Sequence, residues 1–158
     1  MIYYSPLFIT EKPKNGLIKI HGGTLFDYYF VIDKKMNGKQ RTNFIIQQYL
    51  EGLLHLIEKY ENDKEMKIRG TSYIINKRTA EKIGFKIIET DILQKIILLY
   101  NYFNILISNS IAKDKLSFPK LSKTKTFDAD LNQLLERKEY IEKLNESLKS
   151  TIANEDFP

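Results

Sequence analysis

The central part of the chain, from Thr24 to Glu89, alternates segments typical of strands with segments typical of helices. Aromatic and β-branched residues favour strands, whereas apolar residues that recur every three or four positions favour an amphipathic helix. Caps such as Asn76 and a closing glycine mark the helix ends. The predicted order is strand, polar loop, long helix, strand, short helix and strand: Thr24–Asp33, Lys34–Arg41, Thr42–Glu61, Ile68–Ile75, Asn76–Ile83 and Phe85–Glu89.

The two ends of the chain add further elements. Tyr3–Thr10 and Leu17–Ile20 are typical of a hairpin, because Asn15-Gly16 between them is a strong turn signal. Asp91–Ala112 is predicted as an apolar helix, and Asp128–Lys149 as an amphipathic one. The fold class predicted is α+β: a mixed, mainly antiparallel sheet with a long packing helix, a short helix and a C-terminal two-helix appendage. The predicted units are an α/β domain, a basic loop, a C-terminal helix and a tail: 1–112, 113–127, 128–150 and 151–158.

Composition narrows the classes of function. The chain has no cysteine, which excludes a disulfide scaffold, a thiolate metal site and a cysteine nucleophile. With only His21 and His55, no metal site is predicted, and His55 is interpreted as a packing or surface residue. The formal net charge of +5 favours polyanionic partners without identifying one. The start of the sequence lacks the pattern of a signal peptide, and polar residues interrupt Ile92–Ala112, so we expect a cytoplasmic protein, with a peripheral membrane role as an alternative.

The segment from Gly70 to Phe85 carries a resemblance to a known family. Its Gly-Thr-Ser-Tyr-Ile-Ile-Asn start and its closing Gly84-Phe85 are similar to a strand, an Asn-led short helix and the next strand in the GNAT-type N-acyltransferases. The order of elements from Thr24 to Glu89 resembles the acyl-CoA-binding half of that fold. The resemblance implies acetyl-CoA or another acyl-CoA as cofactor and an amine as acceptor.

In that family two neighbouring strands splay apart and hold the pantetheine arm, while a loop and a helix N-terminus hold the pyrophosphate. The resemblance puts Lys35, Gly38 and Gln40 at the positions of the family's phosphate-binding loop. Lys34, Lys39 and Arg41 add positive charge there. The cofactor-binding residues that it implies are Lys35, Gly38, Lys39, Gln40, Arg41 and Asn76.

Acyl transfer to an amine needs a base for the ammonium proton and a donor for the thiolate. Asp27 and His21 are the candidate bases, and Tyr73 is the candidate donor, since the short helix contains no tyrosine. Each residue also has a non-catalytic interpretation: Asp27 as a solvent-facing carboxylate, His21 as a turn residue and Tyr73 as a packing residue. A working transferase and a relative that only binds acyl-CoA both remain open.

The second hypothesis is a non-catalytic binding module. Lysines concentrate between Lys113 and Lys125, and Phe118 and Phe127 near them suit base stacking or membrane insertion. The alternative interpretation is a solvated basic loop. The apolar stripe of the last helix suits a homodimer or protein-partner contact, or packing on the helix from Asp91. Candidate partners of this module are a protein, an anionic membrane surface or nucleic acid.

Overall fold

A computed structural model describes residues 1–63, 65–72, 77–120 and 124–154 of the chain. The described residues form an α+β fold of six strands and seven helices. The strands are β1 (Ile2–Ser5), β2 (Phe8–Thr10), β3 (Leu17–Gly22), β4 (Lys67–Ser72), β5 (Lys86–Ile88) and β6 (Lys125–Asp130). The helices are α1 (Leu25–Val31), α2 (Gly38–Tyr60), α3 (Lys77–Lys82), α4 (Ile92–Tyr100), α5 (Tyr102–Lys113), α6 (Leu131–Glu136) and α7 (Lys138–Asn154).

The strands form one sheet in the order β1-β2-β3-β4-β6-β5. β3 and β4 are parallel, and the other four neighbouring pairs are antiparallel. The parallel pair is possible because α1 and α2 connect β3 to β4, as a crossover between parallel strands requires. The predicted fold class, a mixed and mainly antiparallel sheet with a long packing helix, is therefore confirmed. The predicted hairpin is present between β2 and β3, but its first segment, Tyr3–Thr10, forms two antiparallel strands, β1 and β2, instead of one.

One face of the sheet forms the core with α2, α3, α6 and α7. Ile18 and Ile68 from the parallel strands are fully buried there with Leu56 and Ile57 of α2. Because side chains alternate along a strand, Lys19, His21, Arg69 and Thr71 lie on the opposite face. There they border a groove under α4. The apolar stripe of α7 packs mainly on α2, with Ile141 fully buried, while Ile152 near the end of α7 packs against the cluster that contains Ala112 of α5.

The predicted central strand Thr24–Asp33 is wrong, because its residues form helix α1. Thr24 and Asp27 make a capping box, in which each side chain bonds the other's backbone N–H. Tyr28 and Ile32, four residues apart, are buried on one side of this segment, whereas Phe26 and Phe30 are exposed. Helical spacing of the buried residues thus outweighs the β propensity of the aromatic ones.

Two further boundaries differ from the prediction. Residues 125–130 form strand β6, so the predicted basic loop 113–127 and the predicted helix from Asp128 both overlap a strand. Phe127 and Ala129 of β6 face the core and alternate with Asp128 and Asp130, the period-2 pattern of a half-buried strand. The predicted helix Asp91–Ala112 is two helices that meet at Asn101.

The long helix begins at Gly38, four residues before its predicted start at Thr42. Asn37 caps it, accepting from the N–H groups of Lys39 and Gln40. The 23 residues of α2 span about 35 Å, whereas a six-residue strand spans about 20 Å. The first turns of α2 therefore extend past the sheet, and α1 and α5 pack on them around Tyr28, Ile45 and Ala112.

Candidate functional site

The parallel strands β3 and β4 part before either of them ends. Their register runs from Leu17 opposite Lys67 to Ile20 opposite Gly70. Beyond that point, β3 continues to Gly22 through its pairing with β2, and β4 continues to Ser72 through its pairing with β6. The result is a gap between the carboxyl ends of two parallel strands, the place where open α/β sheets commonly bind ligands.

Three hollows of the molecule converge on this gap. A partly open, apolar cavity of about 60 Å³ lies on the α2 side, between Tyr49, Leu53 and Phe85. A groove of about 300 Å³ lies on the opposite face, under α4. A wider groove of about 560 Å³ opens between α1 and α5. All three are lined by Gly22 and Thr71, so the gap is open to both faces of the sheet.

Two phenol groups meet at the end of β3. The hydroxyls of Tyr28 and Tyr49 lie 2.5 Å apart and share a hydrogen bond. A Cβ atom at position 22 would lie 2.5 Å from the Tyr49 hydroxyl, so only glycine lets the two phenols approach the strand so closely. Burial raises the pKa of Tyr49 to about 12, while the hydrogen bond with Tyr28 acts in the opposite direction. The Tyr49 hydroxyl therefore keeps its proton at neutral pH.

His21 lies beside the gap and is paired with a carboxylate. Its Nε2 is 3.0 Å from Oε1 of Glu11, and both side chains are nearly half exposed. An ionised carboxylate only accepts hydrogen bonds, so Nε2 carries the proton and donates to Glu11. In the neutral ring the lone pair is then on Nδ1. A histidine oriented by a carboxylate in this way has the arrangement of a general base.

A chain of hydroxyl groups borders the same gap on the α4 side. The Thr126 hydroxyl lies 3.3 Å from that of Thr71 and 3.0 Å from that of Thr90. Arg69, next to them on this face, is held by Asp128 at 2.8 Å. The groove under α4 is thus polar on the sheet side, whereas the cavity under α2 is apolar. An elongated ligand with an apolar end and polar groups along its length fits this combination.

Arg41, one of the predicted phosphate ligands, makes extensive contacts within the fold. Its guanidinium donates to the carbonyl oxygens of Met36, Lys34 and Ile111 at 2.7 to 3.0 Å. It also lies 2.9 Å from the carboxylate of Asp114. Arg41 is buried, and these contacts stabilise the packing of the start of α2 against the end of α5.

Only the first half of the predicted phosphate-binding loop, Lys34 to Asn37, is a loop, whereas its second half, from Gly38, is the first turn of α2. A Cβ atom at Gly38 would lie 2.5 Å from the carbonyl oxygen of Lys113, so this glycine lets α2 and α5 touch. The Gln40 side chain is buried and accepts from the N–H of Asn37 as part of a capping box. Lys35 and Lys39 are exposed at the surface. A phosphate-binding role of these residues stays a prediction, and it requires a ligand that reaches this end of α2.

The other predicted site residues have different positions. The Asp27 carboxylate accepts from the N–H of Thr24 at 2.6 Å and from the Tyr3 hydroxyl at 3.1 Å, so it caps α1. His55 lies 2.8 Å from the carbonyl oxygen of Tyr4, far along α2. Tyr73 and Asn76 lie outside the described residues. Of the predicted catalytic groups that are described, only His21 borders the gap.

Several residues at the gap were missed from the sequence. In the sequence, Tyr49 was interpreted as a packing residue at helical spacing, Tyr28 as part of a strand, and Glu11 as part of a turn. The sequence feature that pointed to this gap was Gly22-Gly23, which follows the predicted strand Leu17–Ile20. Within the described residues, no cluster of three or more His, Cys, Asp or Glu side chains is arranged to hold a metal ion. No family model, no curated protein and no solved structure matches the chain.

Proposed function

We propose that this chain binds an acyl-CoA in the gap between the ends of β3 and β4, as a GNAT-like domain. The observation that carries the proposal is the parting of the parallel pair after Ile20 and Gly70. A pantetheine arm carries amide groups, and between two diverging strands it would lie in the manner of an added strand. The apolar cavity under α2 suits an acyl chain.

The order of elements supports the same proposal after one correction. β3 takes the position that the resemblance gave to Thr24–Asp33, and the long helix α2, β4, the short helix α3 and β5 follow it. The exposed Lys39 in the first turn of α2 lies about 15 Å along the helix axis from Tyr49, ten residues further on, at 1.5 Å per residue. Only an elongated ligand spans both places, and an acyl-CoA is one.

Acyl transfer would use the groups already at the gap. The acceptor ammonium gives a proton to Nδ1 of His21, and the amine nitrogen then attacks the thioester carbon. The C–S bond breaks, and the proton that the nitrogen loses on becoming an amide passes to the thiolate sulfur, which the Tyr49 hydroxyl stabilises with a hydrogen bond, so that the products are the amide and the free CoA thiol. Release of free thiol from acyl-CoA on addition of an amine would distinguish a transferase from a relative that only binds.

Calorimetry with acetyl-CoA and longer acyl-CoAs tests the binding step. Asn104 is exposed and lines the wide groove opposite Phe26, so Asn104→Trp should fill the groove and weaken binding at least tenfold. Phe103→Trp is the matched control, because Phe103 is its exposed neighbour on α5 but lies outside the groove lining. We expect it to bind within about twofold of the unaltered protein, since a surface substitution away from the site changes little.

Two results would contradict the proposal. The first is no measurable heat with any acyl-CoA at millimolar concentration. The second is equal weakening by both substitutions, which would mean that the ligand binds the surface of α5 and not the groove.

A further inference from the structure

Helix α4 carries its apolar side chains on the outside of the molecule. None of its nine residues is buried, although seven of them are Ile, Leu or Tyr. Ile92 is 76% exposed and Tyr100 is 90% exposed. An apolar side chain that stays in water does not gain the free energy of burial, so exposing these residues makes the helix less stable than burying them would. Exposed apolar groups in this concentration mark an interaction surface.

The exposed apolar side chains lie on one side of α4. At about 100° per residue they cover roughly 160° of the helix circumference. Gln94 and Leu98, on the opposite side, are partly buried and line the groove over the sheet. The helix is therefore amphipathic with its apolar side outward. The members of this apolar side are Ile92, Leu93, Ile96, Ile97, Leu99 and Tyr100.

Helix α1 adds two aromatic rings to this side of the molecule. Phe26 and Phe30 are 72% and 76% exposed, and their rings stack with centroids 6.5 Å apart. α1 packs on α5, and Phe26 lines the same groove as Asn104 of α5. The exposed rings of α1 thus border the start of α5, where Phe103 is also exposed.

From the start of α4 to β6 the charged residues are mostly positive, although Asp91 caps α4 and Asp27 caps α1. The sequence from Ile92 to Lys125 contains no arginine, one acidic residue and six lysines: Lys95, Lys113, Lys115, Lys120, Lys123 and Lys125. The acidic residue, Asp114, is paired with Arg41. Lys95, Lys113, Lys115, Lys120 and Lys125 are exposed. An apolar helix face flanked by lysines is the pattern of a helix that lies in the interface of an anionic bilayer.

We infer that α1, α4 and the start of α5 form a docking surface for an anionic lipid bilayer. A second copy of the chain fits the surface less well, because a twofold contact would bring the lysines of one copy against those of the other. Insertion here is shallow: among the described residues no helix is long and apolar enough to cross a bilayer. The wide groove opens beside Phe26, so a bilayer docked on this surface would lie at its mouth. This inference does not depend on acyl-CoA binding.

Vesicle co-sedimentation tests the docking surface with the full chain. We expect binding to phosphatidylcholine vesicles that contain phosphatidylserine, and much weaker binding to phosphatidylcholine alone. Ile96→Asp combined with Leu99→Asp should reduce binding at least tenfold, because it places two charges in the apolar layer. Both residues are exposed, so the fold should be kept. Tyr140→Asp is the control, at an exposed position on α7.

The lysines are tested separately. Lys113→Ala combined with Lys115→Ala should weaken binding about fivefold per residue, as expected for basic groups near an anionic surface. Lys12→Ala combined with Lys14→Ala is the control, because it removes the same charge near the start of β3. It should have little effect on vesicle binding, since the docking surface lies near the other end of that strand. Retained binding in the variant with Asp at positions 96 and 99 would overturn the inference. So would no binding to anionic vesicles, or a dimer that this variant dissociates.

Discussion

At the scale of single residues, Gly22 and Tyr49 define the site most closely. Gly22 ends β3 and allows the Tyr49 and Tyr28 hydroxyls to reach the strand. The sequence marks Gly22 as a strand break, but it cannot show which helix comes to lie against it. Tyr49 and Gly22 are separated by 27 positions, and their contact depends on how α1 and α2 pack. His21 could be predicted as a base candidate, whereas its orientation by Glu11 could not, since that pairing depends on the hairpin register.

The Tyr49 phenol makes stability depend on pH. Its pKa is about 12 in the folded protein and 10.0 in an exposed tyrosine. The unfolded chain therefore loses this proton first, and the free energy of unfolding falls as the pH rises from 10 to 12. A shift of this size corresponds to about 3 kcal/mol. Tyr49→Phe should remove this loss, which urea unfolding at pH 8 and at about pH 11 measures.

The control for this prediction is Tyr140→Phe on the surface of α7. It should leave the pH dependence as it is in the unaltered protein. An equal loss of stability above pH 10 in the Tyr49→Phe variant would mean that the Tyr49 hydroxyl is not enclosed at the end of β3.

At the scale of elements, the long helix α2 and the short elements β3, β4, α3 and β5 were predictable, whereas α1 and β6 were not. α2 was predicted apart from its first turn, because its apolar residues keep helical spacing over many turns. α1 was predicted as a strand, since its aromatic residues have high β propensity and its capping box, Thr24 with Asp27, is a weaker signal. β6 was not predicted, because it begins in a basic stretch of sequence. Only the alternation of Phe127 and Ala129 with aspartates indicated a strand there.

The contact between the start of α2 and the end of α5 gives a prediction at this scale. Arg41→Met should lower the free energy of unfolding by about 2–4 kcal/mol, because it leaves three carbonyl oxygens without their donor. Asp114→Asn should cost less than about 1 kcal/mol, because the Asp114 side chain is half exposed. Asn also suits the left-handed backbone of this position, where φ is 55°.

Urea unfolding of the two variants measures both values. If Arg41 served a bound phosphate instead of the fold, Arg41→Met would leave stability unchanged and lower only the affinity for acyl-CoA. A substitution at Gly38, such as Gly38→Asp, would test packing rather than phosphate binding, because a side chain at this position would press on the Lys113 carbonyl oxygen.

At the scale of the whole molecule, the site results from one parallel pair in a mainly antiparallel sheet. A crossover through α1 and α2 returns the chain beside β3 in the same direction, and the two strands then diverge toward different neighbours, β2 and β6. The sequence predicted an α+β sheet with a long packing helix, but not which strands pair. Strand order depends on contacts between segments far apart in the chain, such as Ile20 with Gly70, and local patterns do not encode them.

An NMR titration of ¹⁵N-labelled protein with acetyl-CoA tests most directly whether the gap between β3 and β4 is the ligand site. We predict saturable shifts concentrated in the amides of His21, Gly22 and Thr71, because these backbone groups border the gap. Amides of the α7 surface, such as that of Glu146, should stay unchanged. Shifts confined to surface positions away from both strand ends, or no shifts at millimolar acetyl-CoA, would contradict a ligand site at this gap.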